Sequence, residues 1–528
     1  MIVLGIEGTA HTVGASILDR ERIYSSVSMT FRPEKGGINP REAAEFHFNN
    51  ISSIIHDAIR KSGIHEEKIG LVAFSRGPGL PPSLKITATA ARAMAIRLNV
   101  PIVGVNHPLG HVEIGRRETG AADPVMLYVS GGNTQIIAHK NGYYRVFGET
   151  LDIGIGNMLD KLARYMDFPF PGGPKIEELA LSGKKLLRLP YSVMGMDTAF
   201  SGMYTAAVNH LKAGETMEDI SYSVQEHAFS MLVETLERAI FTTGKRSILL
   251  AGGVARNKNL RSKIEVMAKD AGIPVFETPD EYCMDNGAMI GQAGLLTMEH
   301  VGPQKMEDTR IDQFYRIDQV RAPWVTEDET VYEDRGAESS VKEVVFHGFH
   351  AIRKVRIAKS YRNPELDAMI RNTRMKREIS LLVAMKRENI PVPSVFSVDT
   401  GNLEFTMERI GGKPVSISPV QGKEMAHELG IWIGKMHAAS MCHGDLTMNN
   451  IILRRGKPVL IDPSMGTLSG LVQDMAYDLR LLKESAEAFL ENGNEFFSYF
   501  IESYRECFSH GTDVVKEMEK VEQRRRYA

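Results

Sequence analysis

Twice in this chain an apolar strand runs into a small polar turn and returns as a second strand, and that recurrence limits the folds open to it. The first copy reads Ile2-Val3-Leu4-Gly5-Ile6-Glu7, then the turn Gly8-Thr9-Ala10-His11-Thr12, then Val13-Gly14-Ala15-Ser16-Ile17-Leu18; a charged turn, Asp19-Arg20-Glu21-Arg22, leads to a third strand. The second reads Val125-Met126-Leu127-Tyr128-Val129, turn Ser130-Gly131-Gly132-Asn133-Thr134, return Gln135-Ile136-Ile137-Ala138, and a third strand Tyr143-Tyr144-Arg145-Val146-Phe147. Such an internal repeat predicts a duplicated α/β domain, with two equivalent hairpins facing each other across a cleft. Small residues matter in the turns because a backbone without bulky side chains approaches phosphate oxygens closely and offers them its N–H groups. Helical patterns lie between the hairpins, over residues 42–62 and over the alanine-rich residues 83–98, where Ala88, Ala91, Met94 and Ala95 suit close packing on a sheet. A third glycine turn, Gly252-Gly253-Val254-Ala255-Arg256-Asn257, follows the strand Ser247-Ile248-Leu249-Leu250-Ala251 and opens a helix near Asn259. Strand, glycine turn and helix N-terminus are the parts of a nucleotide pocket, although each turn alone also reads as an ordinary tight connection.

Between the hairpins stands His107-Pro108-Leu109-Gly110-His111, behind the apolar run Val100-Pro101-Ile102-Val103-Gly104-Val105-Asn106. Four-residue spacing puts both imidazoles on one helix face, and Pro108 fits the first helical position, which places His107 at the cap. Two neutral imidazoles so placed suit one metal ion, but the spacing alone equally describes two unrelated histidines. A zinc peptidase is disfavoured because the segment lacks the glutamate of H-E-x-x-H. A chaperone-like ATP-dependent scaffold suits the glycine turns equally well but has no evident use for the histidine pair.

The chain's 528 residues exceed one ordinary core and predict three or four compact units. Three cysteines, Cys283, Cys442 and Cys507, form neither an even set nor a C-x-x-C pair. With no charged-then-apolar leader and no apolar run of membrane-spanning length, the expected location is the cytoplasm, with no membrane association. An acidic stretch at 324–335 reads as a linker. Beyond it, Phe349-His350-Ala351-Ile352-Arg353-Lys354-Val355-Arg356 is a strand carrying Lys354, and Asn363-Pro364 caps a helix that reaches Glu378. Next come a strand at 403–408, a helix at about 422–441, the loop His443-Gly444-Asp445-Leu446-Thr447-Met448-Asn449-Asn450, and the strand Val459-Leu460-Ile461-Asp462. This ordered set suits magnesium-assisted phosphoryl transfer from ATP: Lys354 on the phosphates with Glu378 on its helix, Asn450 and Asp462 on magnesium, and Asp445 orienting the nucleophile. Residues 342–377 carry ten Lys/Arg against Glu343, Glu365 and Asp367, a basic segment that is either solvated or phosphate-binding.

With those residues in view, the chain resembles a fusion of two proteins of the archaeal and eukaryotic KEOPS complex. Residues 1–323 are similar to the tRNA N6-adenosine threonylcarbamoyltransferase family, through the first hairpin, Arg76-Gly77-Pro78-Gly79, the histidine pair, Tyr128 to Asn133, Gly154-Ile155-Gly156-Asn157-Met158-Leu159-Asp160-Lys161, Pro171-Gly172-Gly173-Pro174, Ala199-Phe200-Ser201-Gly202 and the third glycine turn. Residues 336–528 resemble the small atypical serine/threonine kinase of that complex, through Gly336-Ala337-Glu338, Tyr361-Arg362-Asn363-Pro364-Glu365-Leu366 and His443-Gly444-Asp445-Leu446-Thr447. The resemblance implies a duplicated actin-like ATPase fold, related to heat-shock chaperones and ribonuclease H, followed by a small bilobal kinase-like domain. It implies transfer of threonylcarbamoyl from its adenylate to N6 of the adenosine 3′ of the anticodon in ANN-decoding tRNAs. It further implies one iron or zinc ion on His107, His111 and Asp285 with Tyr128 nearby. The nucleotide falls to Tyr128, Val129, Ser130, Gly131, Gly132, Asn133, Asp160, Gly173, Glu177, Gly252, Gly253 and Asn257. The partners implied are tRNA and further subunits of the complex, a small dimerisation subunit and a kinase-binding subunit. The kinase-like half departs from protein kinases in lacking G-x-G-x-x-G, in reading Asp462-Pro463-Ser464 at D-F-G and in lacking A-P-E, which argues against a platform for protein substrates; the resemblance implies ATP hydrolysis, or autophosphorylation, in support of the transferase, with a regulatory protein kinase as the rival reading. The basic segment and the arginine-rich end, Arg524-Arg525-Arg526, are then expected to contact tRNA.

Overall fold

A computed structural model of the protein describes residues 1–32, 39–328, 338–417 and 422–525. The predicted repeat is a repeat of topology. Strands β1 (Ile2–Glu7), β2 (Thr12–Leu18) and β3 (Ile23–Thr30) form an antiparallel meander, and Ile69–Gly77 and Ile102–Asn106 add in parallel on the other side of β1. The second sheet repeats this order and these senses: β6 (Val125–Val129), β7 (Thr134–Lys140) and β8 (Tyr143–Glu149) form the meander, with β4 now denoting Ile69–Gly77 and β5 Ile102–Asn106 in the first sheet. The counterparts of β4 and β5 in the second sheet are Ile248–Ala251 and Val275–Glu277, again parallel. Strands β1 and β6 are nearly or wholly buried along their length, as expected for central strands covered on both faces.

Helix α1 (Pro40–Ser62) is capped by Asn39, and α2 is Pro81–Leu98; both pack beside the first sheet. Helix Gly287–His300 lies directly on β1, where a Cβ on Gly5 would stand 2.2 Å from the Gly287 carbonyl oxygen. That close approach fixes the start of the helix, and with it the preceding Asp285, against the strand that ends in Glu7.

The second half builds a four-stranded antiparallel sheet, Ser339–Phe346, Phe349–Arg356, Glu404–Glu408 and Val395–Asp399 in spatial order, beside helix Pro364–Arg387. Its first hairpin closes through His347 and Gly348, both at positive φ, as a two-residue hairpin turn requires. A tight turn therefore stands where a kinase would carry a glycine-rich phosphate loop. A helical part follows, with helices Lys423–Ala438, Val472–Phe489, Gly493–Cys507 and Gly511–Arg525 around their own apolar core. The acidic stretch expected as a linker is described to Asp328. There it lies on the first half: Trp324 Nε1 donates to Glu113 at 2.9 Å, and the Asp328 N–H donates to Asp123 at 2.9 Å. Residues 329–335, Gly336, Ala337 and Arg526 lie outside the described residues. Among the described residues, no helix is long and apolar enough to cross a membrane.

Candidate active sites of the two halves

Helix α3 (His107–Thr119) begins one residue earlier than the sequence reading has it. Asn106 is the cap, accepting the Leu109 N–H at 3.0 Å, and His107 occupies the first turn. Asparagine offers a short side-chain acceptor that imidazole lacks, so it takes the cap. Both rings still share a face: His107 and His111 lie edge to face with centroids 4.9 Å apart. Asp285, brought from the loop before Gly287–His300, sets Oδ1 3.5 Å from His107 Nε2 and 3.3 Å from His111 Nε2. One ligand atom from each of the three lies within 4.8 Å of the others. Tyr128 Oη is 3.4 Å from His107 Nε2, at the end of β6. Two imidazole nitrogens and a carboxylate converging in a buried site fit a transition metal or zinc. Burial alone would push His107 down, but the Glu7 and Asp285 carboxylates outweigh it and raise the imidazole to about 9. Asp285 moves well below the carboxylate range, because the facing histidines overcome the upward push of burial. Carboxylates on both sides of His107 thus favour positive charge at this point, as a bound cation would require.

Glu7 escaped the sequence reading. It is fully buried, takes the Thr9 N–H at 2.8 Å and the Thr9 hydroxyl at 2.6 Å, and sets Oε2 3.2 Å from His107 Nδ1. A lone carboxylate at the end of an apolar strand carries no motif, so only the fold exposes this partnership.

The glycine turns lie side by side. Ala251 pairs with Tyr128 in parallel register, so Gly252 follows directly beside Val129. Its φ of 93°, and the 2.2 Å that would separate an added Cβ from the Val129 carbonyl oxygen, admit only glycine. In the other turn, the Ser130 and Asn133 backbones close on each other, and the Gly131 carbonyl accepts the Asn157 N–H at 2.8 Å. On helix Ile155–Tyr165, Asp160 accepts the Gly172 N–H at 2.7 Å, which fixes the approach to helix Gly173–Ala180. From that helix Glu177 accepts the Lys258 N–H at 2.9 Å, beside Asn257, which caps helix Lys258–Ala271. Asp160 is thus tied to the residue before Gly173, and Glu177 to the residue after Asn257, while Gly132 and Gly253 lie in the two glycine turns. No side chain crowds Gly173 or Gly253.

In the second half, Lys354 Nζ lies 2.6 Å from Glu378 and 2.8 Å from Asp462 Oδ2. Arg356 pairs with Glu378 as well. Asp462 falls just past strand Lys457–Leu460 rather than within it, at φ 57°. Burial would raise its carboxyl, yet Lys354 and Arg356 hold it well below the usual range, and its Oδ1 is buried with no hydrogen-bond partner. An ionised carboxylate with an unsatisfied buried oxygen fits a magnesium ligand. Asn450 donates from Nδ2 to the Asp445 carbonyl at 2.8 Å and to Asp445 Oδ2 at 3.1 Å, which commits its nitrogen and leaves Oδ1 as the atom for a cation. Burial raises the Asp445 carboxyl, against the pull of Arg238.

A second residue without a sequence signal is Asp478 on helix Val472–Phe489, which accepts the His443 and Gly444 N–H groups at 2.6 and 2.8 Å and so holds the loop that carries Asp445. It also closes a buried cluster with His437 and Cys442. Both of its oxygens are taken by the loop's N–H groups, and Oδ2 also lies 3.4 Å from His437 Nε2, so this cluster ties the loop to its helices.

Much of the basic segment is internal. Arg356, Arg362 and Arg374 are buried, and Arg362 and Arg374 pair with Glu234 of the first half at 2.7 Å each, while Lys376 and Arg377 are exposed.

Comparison with known proteins identifies both halves. Residues 22–292 match the model of the tRNA N6-adenosine threonylcarbamoyltransferase family, and residues 343–467 match the RIO domain. A relative from Thermoplasma acidophilum, named probable bifunctional tRNA threonylcarbamoyladenosine biosynthesis protein, is 51% identical with the whole of both chains aligned. Proteins of the same name from Methanothermobacter thermautotrophicus and Methanocaldococcus jannaschii are 46% and 42% identical, again over the whole of both chains. The chain belongs to this bifunctional tRNA threonylcarbamoyladenosine biosynthesis family, joining a tRNA N6-adenosine threonylcarbamoyltransferase domain of actin-like ATPase type to a RIO kinase domain.

Proposed function

We propose that the first half transfers the threonylcarbamoyl group from threonylcarbamoyl-adenylate to N6 of the adenosine 3′ of the anticodon in ANN-decoding tRNAs, and that the second half hydrolyses ATP in support of it. The convergence of His107, His111 and Asp285 beside two glycine turns carries this reading. An exocyclic amine is a weak nucleophile, and an iron or zinc ion held by these three residues supplies Lewis-acid polarisation of the acyl carbonyl. Tyr128 orients groups at the same point through its hydroxyl. The Ser130–Asn133 and Gly252–Gly253 backbones offer N–H groups to the departing adenylate phosphate, and Asp160 and Glu177 hold the edges of the nucleoside pocket. In the second half, Lys354 holds the phosphates of ATP, Asn450 and Asp462 hold magnesium, and Asp445 accepts the proton of the attacking nucleophile. Further subunits of the complex are the expected partners, and tRNA contact from the basic segment rests on the exposed Lys376 and Arg377.

The test uses purified chain, unmodified tRNA and threonylcarbamoyl-adenylate, with and without ATP. His107→Ala with His111→Ala is expected to lose bound metal and to lower transfer by at least about a hundredfold, the scale of losing Lewis-acid activation. Unchanged metal content and transfer in that variant refute the first reading. Asp445→Asn is expected to abolish most ATP turnover, and wild-type turnover in that variant refutes the second.

A further inference from the structure

Helix Ile155–Tyr165 starts beside the turn Ser130–Asn133 and carries an outer face that no part of the site has yet used. In its first turn the Asn157 N–H donates to the Gly131 carbonyl at 2.8 Å, and one turn on, Asp160 accepts the Gly172 N–H at 2.7 Å. Ile155, Met158, Leu159, Leu162 and Ala163 turn into the core, so spacings of three and four leave Asn157, Lys161, Arg164 and Tyr165 together on the outside. Past the helix the chain continues as Phe168-Pro169-Phe170-Pro171. Tyr165 is 44% exposed and Phe170 42%, while Phe168 is half-buried with Lys175 Nζ 5.3 Å from its ring centroid.

A single exposed ring is ordinary on a protein surface. Here two exposed rings and two exposed cations fall within residues 161–170, beside a glycine turn of the transferase site. Among the described residues no carboxylate pairs with Lys161 or Arg164, and the exposed acid of this stretch, Asp167, sits in the turn after the helix at φ 63°. A duplex offers phosphates to such a face but keeps its bases stacked on one another. A single-stranded loop offers phosphates together with free base faces, the combination that cations interleaved with aromatic rings recognise.

We propose that the outer face of helix Ile155–Tyr165 and the turn to Phe170 form a docking surface for single-stranded RNA, the anticodon loop of the tRNA substrate. Tyr165 and Phe170 stack on bases, and Lys161 and Arg164 pair with phosphates. This rests on the reading of the first half as a tRNA modifier. Asn157 and Asp160 tie the same helix to the glycine turn and to the approach of helix Gly173–Ala180, so a loop seated on its outer face is held in fixed relation to the acyl donor.

The experiment titrates the full chain, by fluorescence anisotropy over a range of salt, against the anticodon stem-loop of an ANN-decoding tRNA and against a duplex of the same stem without the loop. Tyr165→Ala with Phe170→Ala is expected to weaken stem-loop binding about tenfold or more, the scale of lost base stacking, and to leave the duplex unaffected. Tyr165→Phe keeps the ring and is expected to bind as wild type. Lys161→Gln with Arg164→Gln is expected to weaken stem-loop binding and to lower the slope of log affinity against log salt by about 1.4, from about 0.7 per single-strand phosphate contact. That pair carries the measurement should the alanine variant not fold. In the transfer assay both double variants raise KM for tRNA and keep kcat. Unchanged stem-loop affinity in both double variants overturns the proposal and leaves the face to a protein partner. An equal loss toward the duplex overturns it as well, since the surface would then read charge alone. If wild type fails to transfer threonylcarbamoyl while the variants still lose stem-loop affinity, the functional reading falls and the RNA surface stands.

Discussion

Glu7, His107 and Asp285 form a line in which carboxylate, imidazole and carboxylate alternate, and the outer carboxylate sets how the ring is presented. With Oε1 committed to Thr9 and Oε2 facing His107 Nδ1, Glu7 favours the proton on Nδ1 and turns Nε2 toward Asp285 and Tyr128. A second carboxylate behind a ligating histidine orients the ring and raises its basicity, and its loss costs about 10–100-fold in metal affinity. Glu7→Gln is therefore expected to weaken zinc or iron binding by about that factor with the fold retained, as metal titration followed by calorimetry would show; unaltered affinity would remove Glu7 from the site. Much of this site was legible in the sequence. The histidine pair announced itself by spacing, and the resemblance supplied Asp285. What supports those residues was not legible: Glu7 is one acid ending an apolar strand, and Asp478 one acid within a helix. Each gains meaning from a partner 100 or 35 positions away.

Secondary elements were legible to within a residue or two where their ends carry a chemical signal. Helix Pro364–Arg387 begins at the Asn363-Pro364 cap, and the two meanders follow their turns. Asp462, by contrast, leaves its strand because its backbone takes the left-handed region, which the apolar pattern of the strand does not foretell. Elements also meet where sequence gives no warning. At the end of β8, Glu149 lies 3.6 Å from Arg316, while its N–H donates to Asp197 at 2.7 Å. Burial raises the Glu149 carboxyl to about 7, with Arg316 opposing and Asp197 reinforcing the shift. The folded state thus holds a proton that the unfolded chain releases near the ordinary glutamate value, so this group's contribution is full below about pH 4 and falls as pH rises toward 7. Glu149→Gln keeps the shape without the charge. It is expected to match wild type near pH 4 and to exceed it by about 1–3 kcal/mol at pH 8, as denaturant unfolding at both pH values would measure. Equal differences at the two pH values would show that the carboxyl is not protonated in the fold.

Taken as one molecule, the chain places its charge at the seam between its halves. A basic run at 342–377 reads as either a solvated or a phosphate-binding face because composition records charge and not direction, yet Arg362 and Arg374 turn inward onto Glu234, and Lys359 onto Glu237. A second contact lies further along the seam, where Arg480, fully buried on helix Val472–Phe489, pairs with Asp197 of the first half, and Tyr477 Oη donates to the same carboxylate at 2.9 Å. A buried pair of this kind adds little against an apolar replacement, but removing one partner strands the other charge and costs about 3–5 kcal/mol. That asymmetry makes the halves depend on each other: neither can lose the seam without exposing or stranding buried charges. The intact chain is expected to unfold in one calorimetric transition. Asp197→Ala leaves the Arg480 guanidinium with Glu484 alone, at 3.4 Å on its own helix, and is expected to split that transition in two. Arg480→Met in the same background removes the underpaired cation and is expected to restore part of the lost stability. A single transition at the wild-type temperature in Asp197→Ala would show that the seam at Arg480 does not couple the two halves.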